Sequence, residues 1–363
     1  MKAYNAKDIR NIAIAGHGGR GKTTLAEAML YTAKATDRLG RVADGTTVLD
    51  FDAEEKKRKA TVSTAVAAIE WNGAKINIID TPGLFDFAGG MSEGIRAADS
   101  VLIVTAAGSG FDVGAEKALK AANARGISRM FAITRCDADN TDFYKTFAAI
   151  KDAVGGAICP VIVPYMDGGK VAAYVNLASR KAFDYSGGEK KEVAMPSDPQ
   201  LDEMLDILTE AVASSDDELM EKVLMEEEIS VDELKAAIRK GVIACQINPV
   251  FVGSAYKNKG VQELLDAVVD YMPSPVDIPP IKGTNPDTGE EEERPADPKA
   301  PFASLAFKIM TDPYVGKLTY LRVYSGHLDA GSYVLNATKG KKARIGRLLP
   351  MPSPHPDAIA TAS

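Results

Sequence analysis

The run Gly16-His17-Gly18-Gly19-Arg20-Gly21-Lys22-Thr23 follows the apolar stretch NIAIA and leads into the helical pattern TLAEAMLYTA. Its spacing is GxxxxGK[ST], and no other feature limits the possible folds as strongly. Glycines let successive backbone N–H groups turn inward around phosphate oxygens, and the N-terminus of the next helix adds the positive end of its dipole. Lys22 supplies charge for the β- and γ-phosphates, and the Thr23 hydroxyl can reach Mg²⁺. The plainer alternative is a Gly-rich turn with an exposed lysine, and the strand-loop-helix setting weighs against it. Residues His17, Gly18, Gly19, Arg20, Gly21, Lys22, Thr23 and Thr24 are therefore expected to cradle a nucleotide triphosphate.

The rest of the chain is organised around that loop. From residue 11 to 165 strand-like runs alternate with helical ones: INIID, SVLIVTAA, a helix near 113 to 125, MFAITRCD, and a helix near 141 to 153. Such alternation predicts a mainly parallel sheet covered on both faces, the α/β class. TVSTAVAAIEW and AKINIID flank Asn72-Gly73, a dipeptide suited to a type I′ hairpin, so one antiparallel edge is expected. Residues 189 to 233 hold sixteen acidic residues against three lysines, which predicts an acidic helical insert. Sheet-like sequence returns at INPVFVGSA, followed by the amphipathic helix VQELLDAVVDYM.

Eight of the 19 prolines fall between Pro273 and Pro301, together with the run EEEE, and this composition predicts a linker without regular helix or central strand. Beyond it, ASLAFKIM, LTYLRVYSG and SYVLNATKGKKARIGRLL alternate as strands do, which predicts a small β-barrel or sandwich. Residues 302 to 349 carry eight Lys or Arg against two Asp, a locally basic piece in a chain of net charge -7. About sixty residues is short for a closed barrel. MPSPHPDAIATAS is expected to trail off without helix or cap, so the chain reads as a piece of a longer protein. A length of 363 residues allows two or three folded units.

Composition excludes several classes. No apolar run is long enough to span a bilayer, and the N-terminus lacks a signal-peptide core, so neither a membrane protein nor a secreted one is expected. Cys136, Cys159 and Cys245 are odd in number and form no CxxC pair, which excludes a zinc ribbon or disulfide framework and fits a reducing cytoplasm. The acidic balance gives no global attraction for nucleic acid, so any polyanion would meet a local patch.

Further candidate residues follow the P-loop in order. INIIDTPG ends a strand with Asp80, where a carboxylate can hold magnesium through water, and Thr81, Pro82 and Gly83 form the turn that brings a backbone N–H to a γ-phosphate. Thr61 is a candidate to close over Mg²⁺ through its hydroxyl, although a plain strand threonine reads the same way. Asp137 ends the strand MFAITRCD, where its carboxylate could accept from N1 and N2 of guanine, a donor pair adenine lacks. A lone Asp in DADNTD is as often a turn or helix cap. Gly253, Ser254 and Ala255 could offer backbone N–H groups to the guanine carbonyl.

GHGGRGKT, DTPGLFDF, TRCD and GSA, in this order, together with IRKGVIACQINPVFVGSAYKNKGVQELLDAVVDYMPSPVDIPPIKG and FKIMTDPYVGKLTYLRVYSGHLDAGSYVLNATKGKKARIGRL, resemble the translational GTPases, in particular elongation factor G, over residues 8 to 350. The resemblance implies a GTP-binding domain over residues 1–280 with an inserted α+β subdomain near 157–248, a linker at 281–301 and a partial β-barrel domain II at 302–363. It implies GTP, GDP and Mg²⁺ as ligands, with Lys22, Thr61 and Gly83 as catalytic groups and Thr23, Thr61 and Asp80 at the metal. It also implies a monomeric cytoplasmic factor that meets ribosomal RNA through the basic β piece and stalk proteins through the acidic insert, with no DNA and no membrane partner. Three further family domains, which drive translocation, have no counterpart in this sequence.

The departures are local. Leu84 stands where the family has the histidine that helps place the attacking water, and Gly18 and Gly19 replace an Ile-Asp pair. Thr134 and Arg135 replace Asn and Lys of NKxD ahead of Cys136 and Asp137, which is expected to alter base-loop bonding and purine stacking. RKATV replaces RGITI and keeps Thr61. Nucleotide binding is thus expected to survive better than hydrolysis, and a factor acting by occupancy stands as the alternative to an active GTPase.

Overall fold

The computed structural model describes residues 4–285, 288–312, 316–349 and 358–363. Its centre is a seven-stranded sheet in the order β2-β3-β1-β4-β5-β11-β6, formed by β1 (Ile9–Ala15), β2 (Ala65–Trp71), β3 (Ala74–Asp80), β4 (Ser100–Ala106), β5 (Ser128–Thr134), β6 (Ile158–Pro160) and β11 (Asn248–Val252). Every neighbouring pair is parallel except β2 with β3, the hairpin expected at Asn72-Gly73, whose two residues both adopt positive φ. β4 and β5 are buried along their whole length, as continuous apolar strands with helices on both faces must be.

Helices α1 (Lys22–Thr32), α2 (Ala53–Arg58), α3 (Ala88–Ala97), α4 (Val113–Arg125), α5 (Phe143–Val154) and α9 (Val261–Tyr271) connect or flank these strands. Between β6 and β11 lies the insert: an antiparallel sheet of β7 (Ile162–Asp167), β8 (Lys170–Asn176), β9 (Lys181–Asp184) and β10 (Lys191–Val193), then α6 (Pro199–Ala213), α7 (Asp217–Leu224) and α8 (Val231–Ile243). Along the far edge of the main sheet, the Trp71 indole N–H and the Asn72 amide both donate to Asp266 Oδ1 of α9, at 2.8 Å each.

The Pro-rich stretch is more ordered than expected. β12 (Ile281–Thr284) and β13 (Glu291–Arg294) pair as an isolated antiparallel ribbon, and Lys282 lies between Glu291 and Glu293, so cross-strand charge stabilises the acidic run as an edge. The β piece that follows consists of the long hairpin β14 (Ala303–Asp312) and β15 (Gly316–Ser325), then β16 (Leu328–Asp329), β17 (Tyr333–Asn336), β18 (Lys341–Arg344) and β19 (Thr361–Ala362). These pair as β14–β15, β16–β19 and β17–β18, and no closed barrel forms among the described residues. The stretch MPSPHPD lies outside the described residues, but the terminus does not simply trail off. Ile359 bridges Leu348, and β19 pairs with β16.

The hairpin is docked on the first unit through buried cations. The Arg322 guanidinium meets both carboxylate oxygens of Asp99 at 2.7 Å and the carbonyl of Ala97 at 2.5 Å, at the end of α3. Asp99 also accepts from Asn11, which ties the pair to β1. Substituting Arg322 by Met leaves the Asp99 carboxylate buried without its cation, and should lower the unfolding free energy by about 3–5 kcal/mol in chemical denaturation. A loss below about 1 kcal/mol would mean the ion pair contributes no more than a surface one.

Candidate nucleotide-binding site

The carboxyl ends of β1, β3, β5 and β11 open on one side of the sheet, the place where parallel α/β sheets bind ligands. There the loop after β1 turns into α1 at Gly21, which is left-handed and gives the helix no side-chain cap. By contrast α4, α5, α6, α7 and α8 are capped by Asp112, Asp142, Asp198, Asp216 and Ser230. The amides of α1 thus have no side-chain acceptor of their own, as an anion site requires.

Side chains of the loop are committed to the protein, so its contribution to a ligand is the backbone plus Lys22. The His17 ring packs edge-on against Phe85 at 5.4 Å, and the Arg20 guanidinium pairs with Asp112 at 2.9 Å. Arg135 reaches back to the Gly19 carbonyl at 2.7 Å. Lys22 is buried, with its ammonium 2.9 Å from the His17 carbonyl. Burial lowers its pKa, while the charges of Asp80, Asp112 and Asp50 oppose that shift.

Beside Lys22 two threonine–aspartate pairs converge. The Thr23 hydroxyl donates to Asp80 Oδ2 at 2.7 Å, the Thr61 hydroxyl donates to Asp50 Oδ1 at 2.8 Å, and the two hydroxyl oxygens lie 2.8 Å apart. Three short contacts share two hydroxyl hydrogens. Asp80 Oδ1 and Asp50 Oδ2 are buried without a hydrogen-bond partner. Burial pushes the Asp50 carboxyl up to about 6, and Asp80 is raised as well, by burial that the Lys22 charge only partly offsets. The Lys22 charge only partly balances these two carboxylates, and the cluster's hard oxygen donors suit Mg²⁺. No group of three His, Cys, Asp or Glu side chains that could hold a metal exists among the described residues.

Gly83 arrives where the sequence placed it. A Cβ there would meet Lys22 Nζ at 2.1 Å and the Gly18 nitrogen at 2.7 Å, so only glycine brings this backbone onto the loop. Gly18 is matched to Leu84 in the same way, since a Cβ at Gly18 would fall 2.8 Å from Leu84 Cδ2. The two departures from the family pattern are therefore one packing solution: the leucine occupies space the missing side chain leaves. Thr81 lies deeper than expected. Its amide and hydroxyl both donate to the Ile14 carbonyl, at 3.2 and 2.7 Å, which welds β3 to β1 and removes the side chain from ligand contact. Pro82 follows and has no N–H to offer.

Around Asp137, the candidate base reader, is a cavity of about 280 Å³ lined by Gly21, Thr24, Thr134, Arg135, Asp137, Ala138, Ser254, Ala255, Tyr256 and Lys257. Thr134 bonds to the Arg20 carbonyl at 2.8 Å and lies 3.1 Å from the Thr105 carbonyl, so it links β5 to the P-loop. Cys136 faces inward, buried, its thiol toward the Ile133 carbonyl, and burial raises its pKa well above the ordinary value. It does not line the cavity. The amides of Gly253 and Ser254 are already used, donating to Ile133 at 3.1 Å and Lys259 at 2.9 Å, so of the GSA turn Ala255 is the residue whose amide is not bonded in this way.

Asp137 opposes burial with two partners: Lys257, 2.7 Å away, and Ser254 hold its carboxyl below the usual range. Asp50, Asp112, Tyr256 and Lys257 were not singled out from the sequence. An N-cap pattern ahead of α4 was the one signal available, and it pointed to Asp112. Arg41 lies over the Tyr256 ring at 5.0 Å, bringing the segment before α2 to the rim of the base cavity.

Among the described residues no helix is long and apolar enough to cross a membrane. Residues 7–274 match the family described as the elongation factor Tu GTP binding domain. The fold also resembles the crystal structure of a protein from Thermus thermophilus, with a TM-score of 0.83 and 31% sequence identity over 98% of this chain. The chain spans about half of that protein, 51% of its length. The family match covers well over half of the chain, and together with the structural likeness it shows that the chain belongs to that family, as a translational GTPase of the elongation factor G type.

Proposed function

We propose that this chain is the nucleotide-binding part of a ribosome-associated translation factor in which GTP and Mg²⁺ order the segments around Thr61 and Gly83. The observation that carries this reading is the placement of one short stretch of chain: Gly21 and Thr24 line the cavity beside Asp137, while Thr23 between them meets Asp80 and Thr61. In it, amides of His17 to Thr24 and the Lys22 ammonium hold the phosphates, Thr23 and Thr61 face the ion, and Asp80 and Asp50 hold its water. The Gly83 amide meets the γ-phosphate, Asp137 reads N1 and N2 of guanine, and Ala255 donates to the guanine carbonyl. The bound ion would neutralise phosphate charge as it builds up on the bridging and terminal oxygens. The β piece, basic in sequence, fits ribosomal RNA, the acidic insert fits the stalk proteins, and the factor acts as a cytoplasmic monomer. Residues 1–280, 281–301 and 302–363 serve as GTP-binding domain, linker and partial domain II. Coupling of hydrolysis to elongation and translocation would require the further domains of the family in addition to the residues described above.

Leu84 favours a second form of the same reading, in which occupancy and not hydrolysis does the work. Its side chain is apolar, lies against Gly18 and cannot orient water by hydrogen bonding. Single-turnover phosphate release with ribosomes separates the two. Leu84→His should raise the rate by about 100-fold if a water-positioning group is what the site lacks. Equal, fast release from both proteins would remove any role for this position and leave the active GTPase. Tighter binding of ATP than GTP would overturn both forms.

A further inference from the structure

We propose that Lys308, on the hairpin beyond the GTP-binding unit, is a positioning residue for the segment that carries Thr61. It makes closure of that segment over a triphosphate depend on the docked hairpin. The inference rests on the nucleotide-site reading above and extends it to a residue 244 positions from its contact.

The β14–β15 ladder pairs Ala306 with Leu321 and then Lys308 with Tyr320, so Phe307 is an extra residue, a β-bulge. Before it Ser304 and Ala306 face solvent, whereas after it Ile309 does, and the change of parity turns Lys308 inward to 6% exposure. A bulge commonly re-aims one side chain, and lysine is among the residues least often buried. The Lys308 ammonium donates to the Thr64 carbonyl and stands 5.2 Å from the centroid of the Tyr320 ring. Burial lowers its pKa, and the charges of Glu55 and Glu93 oppose that shift.

Thr64 is three residues from Thr61, and the other bonds to this segment are all local to the first unit. The Val62 and Ser63 amides donate to Glu55 Oε1 at 3.0 and 3.1 Å, and the Thr64 hydroxyl donates to the Gly90 carbonyl of α3 at 2.8 Å. Thr61 itself is held by Asp50 and Thr23. Among the described residues Lys308 is the one hydrogen-bond donor that reaches residues 61–64 from beyond residue 280. In nucleotide switches such a segment is ordered by the γ-phosphate and its magnesium and is released in the diphosphate state. A cation anchoring its exit point therefore acts on triphosphate binding and leaves diphosphate binding alone.

The test compares Lys308→Met with the natural chain, titrating fluorescent GDP and a non-hydrolysable fluorescent GTP analogue in the presence of Mg²⁺. Methionine keeps the length and removes the charge, and native circular dichroism of the variant is checked first because the Thr64 carbonyl loses its donor. Affinity for the analogue should fall by about tenfold while affinity for GDP changes less than about twofold, a coupling of ordinary size between two sites. Lys308→Arg, which keeps a cationic donor, should restore most of the difference. If the methionine variant does not fold, Lys308→Gln provides the same comparison. Parallel losses for both nucleotides, or no loss for either, overturn the proposal while the nucleotide-site reading stands. A natural chain that takes up neither nucleotide overturns both.

Discussion

Lys22→Ala should reduce affinity for guanine nucleotides by about 10³-fold. The ammonium is buried beside Gly83 and held at 2.9 Å by the His17 carbonyl. Two charge-assisted contacts, one to each terminal phosphate, contribute about 4 kcal/mol together, and that figure sets the expected loss. Alanine also leaves Asp80 and Asp50 without the cation that partly offsets their burial. The variant should therefore be checked for native circular dichroism, with Lys22→Met as the volume-preserving form. Equilibrium titration with fluorescent GDP measures the effect. Unchanged affinity in a folded variant would remove the phosphate role from the whole loop.

Asp137→Asn should invert base preference, lowering GDP affinity and raising xanthosine diphosphate affinity by about 10²-fold each, a swing of about 10⁴ in the ratio. In the proposed reading the carboxylate would present two acceptors to the N1 and N2 donors of guanine, whereas an amide presents one acceptor and one donor, which matches xanthine instead. Lys257 and Ser254 keep this carboxyl ionised at neutral pH, because both shift it downward against the effect of burial. The substitution releases Lys257 from its 2.7 Å pair, but that pair is open to solvent on the lysine side and contributes little to stability. Competition titrations with the two diphosphates give the ratio, and an unaltered ratio contradicts base reading by Asp137.

Features set by short-range spacing were legible in the sequence. The loop from Gly16 to Thr23, the hairpin at Asn72-Gly73, the helices at 113–125 and 143–154, and Asp80 at a strand end all depend on residues within a few positions of one another. Interactions across long sequence separations were not. Asp50 enters the site through Thr61, eleven residues on, and Thr61 through Thr23, thirty-eight residues back. Neither distance leaves a periodic trace. Nor does the sequence mark the bond that Thr134 makes to the Arg20 carbonyl, across 114 positions. Gly18 and Leu84 looked like two separate departures until the fold put one against the other. The bulge at Phe307 had no sequence mark either, since alternation there differs from a regular strand by a single position.

The tether between Trp71 and Asp266 has a practical consequence for anyone observing this protein in solution. Trp71 is the chain's one tryptophan, and it closes a strand that begins at Ala65, next to Thr64. At about 3.3 Å per residue the indole stands roughly 20 Å along that strand from the nucleotide mouth. Its emission therefore gauges whether α9 is seated on the sheet, and a spectral change on adding ligand would report movement carried along the full length of β2.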